Sequence, residues 1–430
     1  MARLVLLAYS LLFYLAMPLI WLRLLWRGRR QPAYRQHFGE RHALYPQALR
    51  CGQRSLIWLH AVSVGETRAA VPLIDALLEA YPEHDLLLTH MTPTGRETGS
   101  ELLAARPERL TQAYLPYDLP DACGRFLDHF QPRIGLLMET ELWPNLIAAA
   151  GRRQLPIALI NGRLSARSLA GYMRLRRLIR PALASLSAVA AQTTADAERL
   201  QQLGARQPTV CGNLKFDVMP AVDKLQLGAD WRQAIGQRPV CLLASSREGE
   251  EALLLDALAT VAVAELLLVL VPRHPQRFAE VAALIASRGL SFCRRSSADL
   301  PAGETQVWLG DSMGEMAAYY AVADLVVMGG SLLPFGGQNL IEAAACGCPL
   351  LLGPHTFNFA QASEDAIACG AARRVPDARQ AALAARALFV QPSDLLLMRA
   401  AATAFSQAHR GATARTVALI ERLMAPRKGC

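Results

Sequence analysis

Two segments of the chain place glutamates directly after an apolar, strand-like run, where a carboxylate could act as a base or bind a metal. Glu66 follows Ser55–Ser63 and stands in the first turn of the next predicted helix. It either complements the positive end of that helix or serves as a general base that the helix dipole keeps ionised. Glu139 and Glu141 follow a second run, Arg133–Met138. They either cap the helix that begins beside them or form a pair able to hold a metal ion.

Two further segments could bind anionic groups. The chain has only three lysines, and one of them, Lys215, follows a strand in the loop GNLKFD. A compact point charge at that place suggests a role, although solvated lysines are the ordinary case. The glycine-rich segment GGSLLPFGGQNLIEAAACGCP leads into a predicted helix, Asn339–Cys346, whose N-terminus favours anions. Glu342 either contacts a ligand there or completes a capping box with Asn339.

These side chains would be positioned by two series of alternating strands and helices. Apolar runs alternate with helical periodicity from Ser55 to Gln192 and again from Val240 to Leu352. The pattern predicts an α/β fold of two Rossmann-like domains facing a cleft, with ligands at the carboxyl ends of the strands. Residues 218–231 lack a clear period and predict a linker. Neither series has a G-x-G-x-x-G or P-loop motif, which argues against a dinucleotide oxidoreductase or an NTPase.

The first 30 residues predict a membrane-anchor helix. Leu4–Leu22 is an uncharged apolar run that would be about 28 Å long as a helix, close to the hydrocarbon thickness of a bilayer. Trp21, Trp26 and four arginines follow, without a small-residue cleavage site before the arginines. The positive-inside rule places the rest of the chain in the cytoplasm. A helix buried in the globule is the alternative, and spanning and in-plane anchors are not distinguished by the sequence.

Charge and composition narrow the class of partner. Hydrophobic residues make up 52% of the chain and charged residues 19%, which excludes a disordered chain. Residues 1–30 supply +5 of the net charge of +9, and residues 142–195 contain eight arginines and no acid. This distribution indicates an anionic membrane surface as a partner, and no nucleic-acid-reading motif accompanies it.

The nine cysteines show no C-x-x-C spacing, which argues against a zinc site and fits a reducing compartment.

The sequence resembles the 3-deoxy-D-manno-octulosonic acid (Kdo) transferases of lipopolysaccharide synthesis, and the resemblance runs over nearly the whole chain. It is carried by SVGET at 63–67, MTPTGRE at 91–97, YLPYDLP at 114–120, METELWPN at 138–145, RLSARS at 163–168, LKFD at 214–217, LVPRHPQRF at 270–278, GDSMGE at 310–315, NLIEAAA at 339–345 and GPHTFNF at 353–359. The resemblance implies a GT-B glycosyltransferase that moves Kdo, with inversion, from CMP-Kdo to a lipid A precursor (lipid IVA) at the cytoplasmic face of the inner membrane.

With this resemblance the chain divides into an anchor at 1–30, an acceptor-binding domain at 31–217, a linker at 218–231 and a CMP-Kdo-binding domain at 232–430. The resemblance also implies a role for single residues. Glu66 would deprotonate the acceptor hydroxyl, and Glu139 and Lys215 would stabilise the transition state. The implied CMP site consists of Pro272, Arg273, Met313, Gly314, Glu315, Asn339, Leu340, Ile341 and Glu342.

Two positions depart from the family pattern. The family usually has histidine where Gln338 stands and Thr-His-Glu-Gly-Glu where this chain has Ser246–Glu250, so histidine roles are not carried over to Gln338 or Arg247. Both replacements can still donate a hydrogen bond. No cofactor is expected, and no metal, because CMP is a monophosphate leaving group and the chain has no Asp-x-Asp.

Two other functions compete with Kdo transfer. One is a membrane-associated GT-B transferase that uses another nucleotide sugar, such as a UDP-hexose. The other is a membrane-associated binding or scaffold protein with a decayed active site, against which the intact Glu66, Glu139 and Lys215 argue. The number of Kdo residues added, the acylation state of the acceptor and the oligomeric state are not fixed by the sequence.

Overall fold

The structure is a computed structural model that describes residues 2–49, 54–261, 263, 265–297 and 300–425. It divides into two compact units. The first unit comprises Met1–Val218 together with the C-terminal segment that begins at Arg410, and the second comprises Met219–His409. The strands are β1 Ser55–His60, β2 His84–His90, β3 Leu110–Tyr114, β4 Ile134–Met138, β5 Ile157–Gly162, β6 Ala188–Ala191, β7 Thr209–Val210, β8 Val240–Ser246, β9 Leu267–Pro272, β10 Phe292–Arg294, β11 Val307–Leu309, β12 Leu325–Met328, β13 Leu350–Leu352 and β14 Ala372–Arg374.

Helices follow most of these strands. They are α1 Ala2–Arg30, α2 Val64–Ala80, α3 Pro93–Ala105, α4 Pro120–Phe130, α5 Pro144–Arg152, α6 Ala166–Arg174, α7 Arg176–Ser185, α8 Thr194–Leu203, α9 Val222–Ile235, α10 Glu250–Thr260, α11 Phe278–Ser287, α12 Met316–Val322, α13 Leu340–Ala345, α14 Ala360–Ala368, α15 Ala378–Val390, α16 Pro392–Ala408 and α17 Ala412–Met424. The helix α1 is long and apolar enough to cross a membrane.

The first unit is a parallel sheet in the strand order β3-β2-β1-β4-β5-β6-β7. Its central strands β4 and β5 are buried along their whole length, which is why their sequences are continuous apolar runs. The strand order reverses between β1 and β4, whose register pairs His60 with Leu137. The carboxyl ends of these two strands are therefore neighbours at the switch point, where ligands bind in such sheets.

The second unit is also a parallel sheet, in the order β10-β11-β9-β8-β12-β13-β14. Its order reverses between β8 and β12, which pair from Leu325 with Cys241 to Met328 with Ala244. Gly329 follows β12, and a Cβ at that position would lie 2.5 Å from the Ala244 carbonyl oxygen. Only glycine allows the chain to leave β12 so close to β8. The predicted α/β class and the two alternating series are thus confirmed.

The domain boundaries differ from the prediction at both ends of the second domain. Most of the predicted linker 218–231 lies in α9, which buries Trp231 against the rings of Trp308 and Tyr319. Its buried face includes Gly228, where a Cβ would lie 2.5 Å from the Ala318 carbonyl oxygen. A buried face that contains a glycine gives no apolar periodicity, so the helix was missed in the sequence.

The C-terminal helix α17 belongs to the first unit, whereas the prediction placed all of 232–430 in the second domain. Asp217, next to the end of the first segment of this unit, accepts the N–H groups of Gly411 and Thr413 at the start of α17. Ile420 of α17 is fully buried in the core that β1 and α2 share. The helix therefore returns to complete the core of the first unit.

Candidate active site

Glu66 is held at the start of α2 by reciprocal hydrogen bonds with Ser63. The Ser63 hydroxyl oxygen accepts the Glu66 N–H at 3.4 Å, and the hydroxyl donates to Glu66 Oε1 at 3.1 Å. Glu66 Oε2 accepts the Val62 N–H at 2.7 Å. Ser63 is the N-cap of α2, so Glu66 stands in the first turn of the helix, as predicted. A second role stays open, because each carboxylate oxygen can accept more than one hydrogen bond.

The ionisation of Glu66 differs from the expectation that the helix dipole would hold it firmly charged. Burial, which leaves 9% of the residue exposed, is the largest cause that raises its pKa, and the charge of Glu139 is the next. The hydrogen bonds from Val62 and Ser63 lower the pKa but do not outweigh these effects, so its pKa is raised to about 7. A carboxyl group with a pKa near the working pH is well matched to general base catalysis.

Glu139 lies one residue beyond the end of β4, in a strained backbone conformation. Its φ is +54°, a left-handed value that few residues other than glycine adopt. Its N–H donates to the Ile160 carbonyl at 3.0 Å, which continues the β4–β5 pairing for one more residue. Because the chain has turned, Glu139 and Glu141 do not lie on one strand face. Glu139 Oε1 instead lies 3.4 Å from Lys215 Nζ, with both side chains about one-fifth exposed.

Glu141 is oriented by the tryptophan that precedes α5. The Trp143 indole N–H donates to Glu141 Oε2 at 3.1 Å. Burial, more than the charge of Glu139, raises the pKa of Glu141 to about 6. The N-cap of α5 is Trp143, and no side-chain hydrogen bond caps it. Of the two alternatives for these glutamates, capping of α5 is therefore wrong.

Lys215 is positioned by two asparagines that fix its backbone. It lies in the 3₁₀ turn Leu214–Asp217, where the side-chain oxygen of Asn213 accepts the Lys215 N–H at 3.0 Å. The side-chain oxygen of Asn161, at the end of β5, accepts the Leu214 N–H at 3.0 Å. Leu214 is fully buried, which anchors the turn in the core. The first unit thus brings Lys215 beside Glu139, and Glu139 within electrostatic reach of Glu66.

In the second unit the predicted CMP residues lie at three strand ends. Pro272 ends β9, and the Arg273 N–H donates to the Ser246 carbonyl at 3.0 Å, while the Arg273 side chain is exposed. Met313 is 63% exposed, and Gly314 has a φ of +76°, so this turn presents backbone to solvent. These groups are therefore accessible from solvent.

Glu315 is already engaged inside the second unit. Its carboxylate accepts from the Arg295 guanidinium at 3.0 and 3.1 Å and from the Ser312 hydroxyl at 2.6 Å. The Arg295 guanidinium in turn lies 5.1 Å from the centre of the Trp231 ring. These contacts fix the turn 312–315, so Glu315 shapes this turn in addition to any contact with a ligand.

Asn339 caps α13, as the capping interpretation predicted. Its side-chain oxygen accepts the Ile341 N–H at 3.2 Å, and its amide nitrogen donates to Glu342 Oε1 at 2.9 Å. The capping box is incomplete, since Glu342 bonds to the Asn339 side chain instead of its backbone N–H. Leu340 and Ile341 are each 1% exposed, so their side chains belong to the core.

Sequence reasoning missed the residue that holds the glycine-rich loop. Glu250 is fully buried, and its carboxylate accepts the N–H groups of Arg247, Gly330 and Leu332 at 2.9, 2.6 and 3.0 Å. Burial raises the pKa of Glu250, and these hydrogen bonds oppose that effect. Glu250 lies in the segment 246–250 that differs from the family pattern, but its position gives no sign of a partner eighty residues away. Arg247, in the same segment, stacks its guanidinium 4.6 Å from the centre of the Phe335 ring.

Among the residues that the structure describes, no group of three or more His, Cys, Asp and Glu side chains could hold a metal ion. Glu139 contacts Lys215, and Glu141 contacts Trp143, so the pair is not arranged as a joint ligand set in this structure.

The two Rossmann-like units define a GT-B fold. A glycosyltransferase from Rickettsia africae shares this architecture, with a TM-score of 0.60 at 12% sequence identity over 87% of this chain and all of that one. At this identity the likeness concerns the fold alone.

Sequence comparison gives the family. The model of the family described as 3-deoxy-D-manno-octulosonic-acid transferase (kdotransferase) matches residues 36–218. The 3-deoxy-D-manno-octulosonic acid transferase of Bordetella pertussis is 48% identical over 94% of this chain and 96% of its own length. The transferase of the same name from Haemophilus influenzae is 38% identical over 82% of each chain. The chain belongs to the Kdo transferase family and is a glycosyltransferase.

Proposed function

We propose that this protein transfers Kdo from CMP-Kdo to a sugar hydroxyl of a lipid A precursor, lipid IVA, with inversion at the anomeric carbon. The observation that carries this proposal is the group at the switch point of the first unit. There a glutamate with a pKa of about 7 lies near a second carboxylate that is paired with a lysine. Membership of the Kdo transferase family supports Kdo as the sugar that is transferred. The roles of the single residues are proposals.

Glu66 acts as the base. An alcohol is a weak nucleophile at neutral pH, so its proton must move to a positioned acceptor as the oxygen attacks. Glu66 in its carboxylate form takes that proton, and the acceptor oxygen forms a bond to the anomeric carbon of Kdo. The bond from that carbon to the phosphate oxygen breaks, and CMP leaves with the electron pair. A pKa of about 7 leaves much of Glu66 ready to accept a proton at neutral pH.

Glu139 and Lys215 stabilise the charges that develop in the transition state. Positive charge grows on the sugar ring as the bond to CMP breaks, and negative charge grows on the leaving phosphate. The Glu139 carboxylate stabilises the positive charge on the sugar ring, and the Lys215 ammonium stabilises the negative charge on the phosphate. The strained backbone of Glu139 supports a functional position, because such strain costs about 1 to 3 kcal/mol and persists where the surroundings impose it.

The second unit binds the cytidine monophosphate. The exposed Arg273 side chain offers a positive charge to the phosphate, and the open turn at Met313 and Gly314 offers backbone groups. Glu342 accepts hydrogen bonds from the ribose hydroxyls while Asn339 holds one of its oxygens. Transfer needs no metal in this proposal, because the Lys215 ammonium can supply positive charge to a monophosphate leaving group.

The enzyme works at the cytoplasmic face of the inner membrane, with α1 as its anchor. The acceptor is an anionic amphiphile that resides in a bilayer, so an enzyme that modifies it must reach the membrane surface. The arginines in residues 1–30 and 142–195 suit both the membrane headgroups and the phosphates of the acceptor.

The test is a transfer assay with purified full-length protein, CMP-Kdo and tetra-acylated lipid A precursor, with products weighed by mass spectrometry. We expect a mass increase of one or more Kdo residues, in the presence of EDTA as well as without it. A panel of UDP-hexoses should give no product. Product from a UDP-hexose but not from CMP-Kdo would overturn the donor assignment, and loss of transfer in EDTA with recovery in Mg²⁺ would overturn the metal-free mechanism.

A further inference from the structure

The helix α1 is fastened along one side to the body of the first unit. The Ser10 hydroxyl donates to Asn145 Oδ1 at 3.0 Å in a buried contact, and the Trp21 indole N–H donates to His42 Nε2 at 3.1 Å. Met17 and Leu24 are 4% and 8% exposed on the same side. Residues 10, 17, 21 and 24 follow the i, i+7, i+11, i+14 spacing of a single helix face. The attachment therefore extends over about 21 Å of helix.

The attachment points on the body lie at the starts of two helices. Tyr9 donates to Asp118 Oδ2 at 3.1 Å, and Tyr14 donates to Asp121 in the first turn of α4. Asp118 is fully buried, and its carboxylate also accepts the N–H groups of Asn145 and Leu146 at the start of α5 at 3.0 and 2.8 Å. The helix α1 is thus bound to the N-terminal ends of two helices, α4 and α5, that pack against each other.

The opposite side of α1 is a continuous apolar face. Its leucines and one tryptophan are each between 58% and 69% exposed: Leu4, Leu7, Leu11, Leu12, Leu15, Leu19, Leu22 and Trp26. Basic residues lie on a helix that packs against α1. Arg176, Arg177 and Arg180 line an open depression on α7, which packs against α1, and Leu175 beside them is 57% exposed. An apolar helix face with arginines on the neighbouring helix is complementary to anionic lipid headgroups over hydrocarbon.

We infer that α1 lies in the plane of the membrane surface, with its outward face inserted in one leaflet, and does not span the bilayer. The hydrocarbon core is about 30 Å thick. A spanning α1 would have to carry Asp118 and Asn145 into hydrocarbon or lose its contacts with them. Carboxylates and helix ends without water are strongly unfavourable there, so a docked α1 and a spanning α1 exclude one another.

The in-plane arrangement has a consequence for the proposed site. Asn145, whose side-chain oxygen accepts the Ser10 hydroxyl, stands two residues after Trp143. The Trp143 indole in turn orients Glu141. The segment 139–145 is therefore fastened to the anchor at its far end. A helix that lies in the headgroup region thus holds the segment that carries Glu139 close to the surface in which the acceptor resides. This inference rests on the proposed membrane location of the enzyme.

A disulfide cross-link tests whether docking persists in the membrane. The double variant Ser10→Cys with Asn145→Cys should form a bond in full-length protein on vesicles of phosphatidylethanolamine and phosphatidylglycerol, detected by peptide mass. The control pair Leu11→Cys with Asn145→Cys places the first cysteine on the outward face and should not cross-link. No cross-link in the first pair on vesicles, despite one in detergent, would overturn the inference.

Protease protection gives a second readout, which needs no substitution in the chain. A protease-cleavable tag on the N-terminus of the wild-type chain should be cut by protease added outside sealed vesicles that carry the body on the outside. Protection of the tag until the vesicles are opened would show a spanning helix and overturn the inference. Flotation of the same vesicles tests association separately: protein that does not float, or that forms dimers through α1 instead, would overturn membrane insertion itself.

Discussion

Glu66 combines two roles at the scale of the single residue. As a capping residue it receives hydrogen bonds from Ser63 and Val62, and as the proposed base it must release and take up a proton near pH 7. Burial and the neighbouring Glu139 charge supply the shift that a capping glutamate ordinarily lacks. The proposed function of this residue therefore depends on Glu139 as well as on its own burial.

Replacing Glu139 with glutamine removes a charge that raises the pKa of Glu66. A base acts in its deprotonated form, so transfer rises with pH through that pKa, and a lower pKa moves the rise to lower pH. We expect the acidic limb of the kcat profile of Glu139→Gln to move toward acid, on top of a lower maximal rate. The control Glu101→Gln changes an exposed glutamate elsewhere in the unit and should leave the limb in place. If the acidic limb of the Glu139→Gln profile stays in place, Glu66 is not the base that titrates.

Gly65 tests whether the acceptor approaches Glu66 across the start of α2. A Cβ at this position would meet no atom nearer than Ser63 Oγ at 4.0 Å, and alanine is favoured over glycine in a helix by about 1 kcal/mol. We expect Gly65→Ala to keep or raise the unfolding temperature while it raises the KM of the acceptor. Gly171→Ala, in α6 and with open space around it, should leave that KM unchanged. Equal acceptor KM values in both variants would argue against this approach.

At the scale of elements, strand order brings the proposed catalytic residues together. Glu66 follows β1 and Glu139 follows β4, which are distant in sequence but adjacent in the sheet. The apolar runs of β1, β4, β5, β8 and β9 could be predicted because buried parallel strands need such residues. The edge strand β7 could not, since both of its residues are exposed. The pairing of Lys215 with Glu139 could not be predicted either. It depends on the left-handed backbone of Glu139 and on the 3₁₀ turn that carries Lys215.

The loop after β12 depends on a single carboxylate, which gives a prediction about stability. Glu250→Ala leaves the buried N–H groups of Gly330 and Leu332 without their acceptor. Each unsatisfied buried donor costs about 1 to 3 kcal/mol, so we expect the free energy of unfolding to fall by about 3 kcal/mol, with weaker CMP binding. Urea unfolding and calorimetry measure the two effects. Glu248→Ala, whose side chain is 51% exposed, should change stability by less than about 0.5 kcal/mol, and an equal loss in both variants would contradict this role.

At the scale of the whole molecule, the first unit offers a membrane both an apolar helix face and basic charge. The outward face of α1 supplies the apolar part, and the arginines of α7, which packs against α1, supply the charge. Insertion of apolar side chains resists salt, whereas attraction to anionic headgroups is screened by it. Membrane binding should therefore have a component that salt weakens and one that it does not.

The double variant Arg176→Gln with Arg177→Gln tests the charged component. Each basic residue near an anionic surface contributes about 1 kcal/mol, so affinity for phosphatidylglycerol vesicles should fall by roughly thirtyfold at low salt and by less at high salt. Vesicle sedimentation over a salt series measures this effect. Arg379→Gln with Arg386→Gln removes the same charge from exposed positions on α15 and should have little effect. Equal losses in the two double variants would show that only net charge matters.

The central claim, that Glu66 is the base of a Kdo transferase, is tested most directly by the transfer rate of Glu66→Gln at saturating CMP-Kdo. Glutamine keeps the size of the side chain but cannot take the proton. We predict normal folding, near-normal CMP-Kdo binding by calorimetry, and a loss of transfer by about 10² to 10⁴ fold. A Glu66→Gln enzyme that transfers Kdo at close to the wild-type rate would contradict the claim, leave Glu66 as a helix cap, and move the search for the base to Glu139.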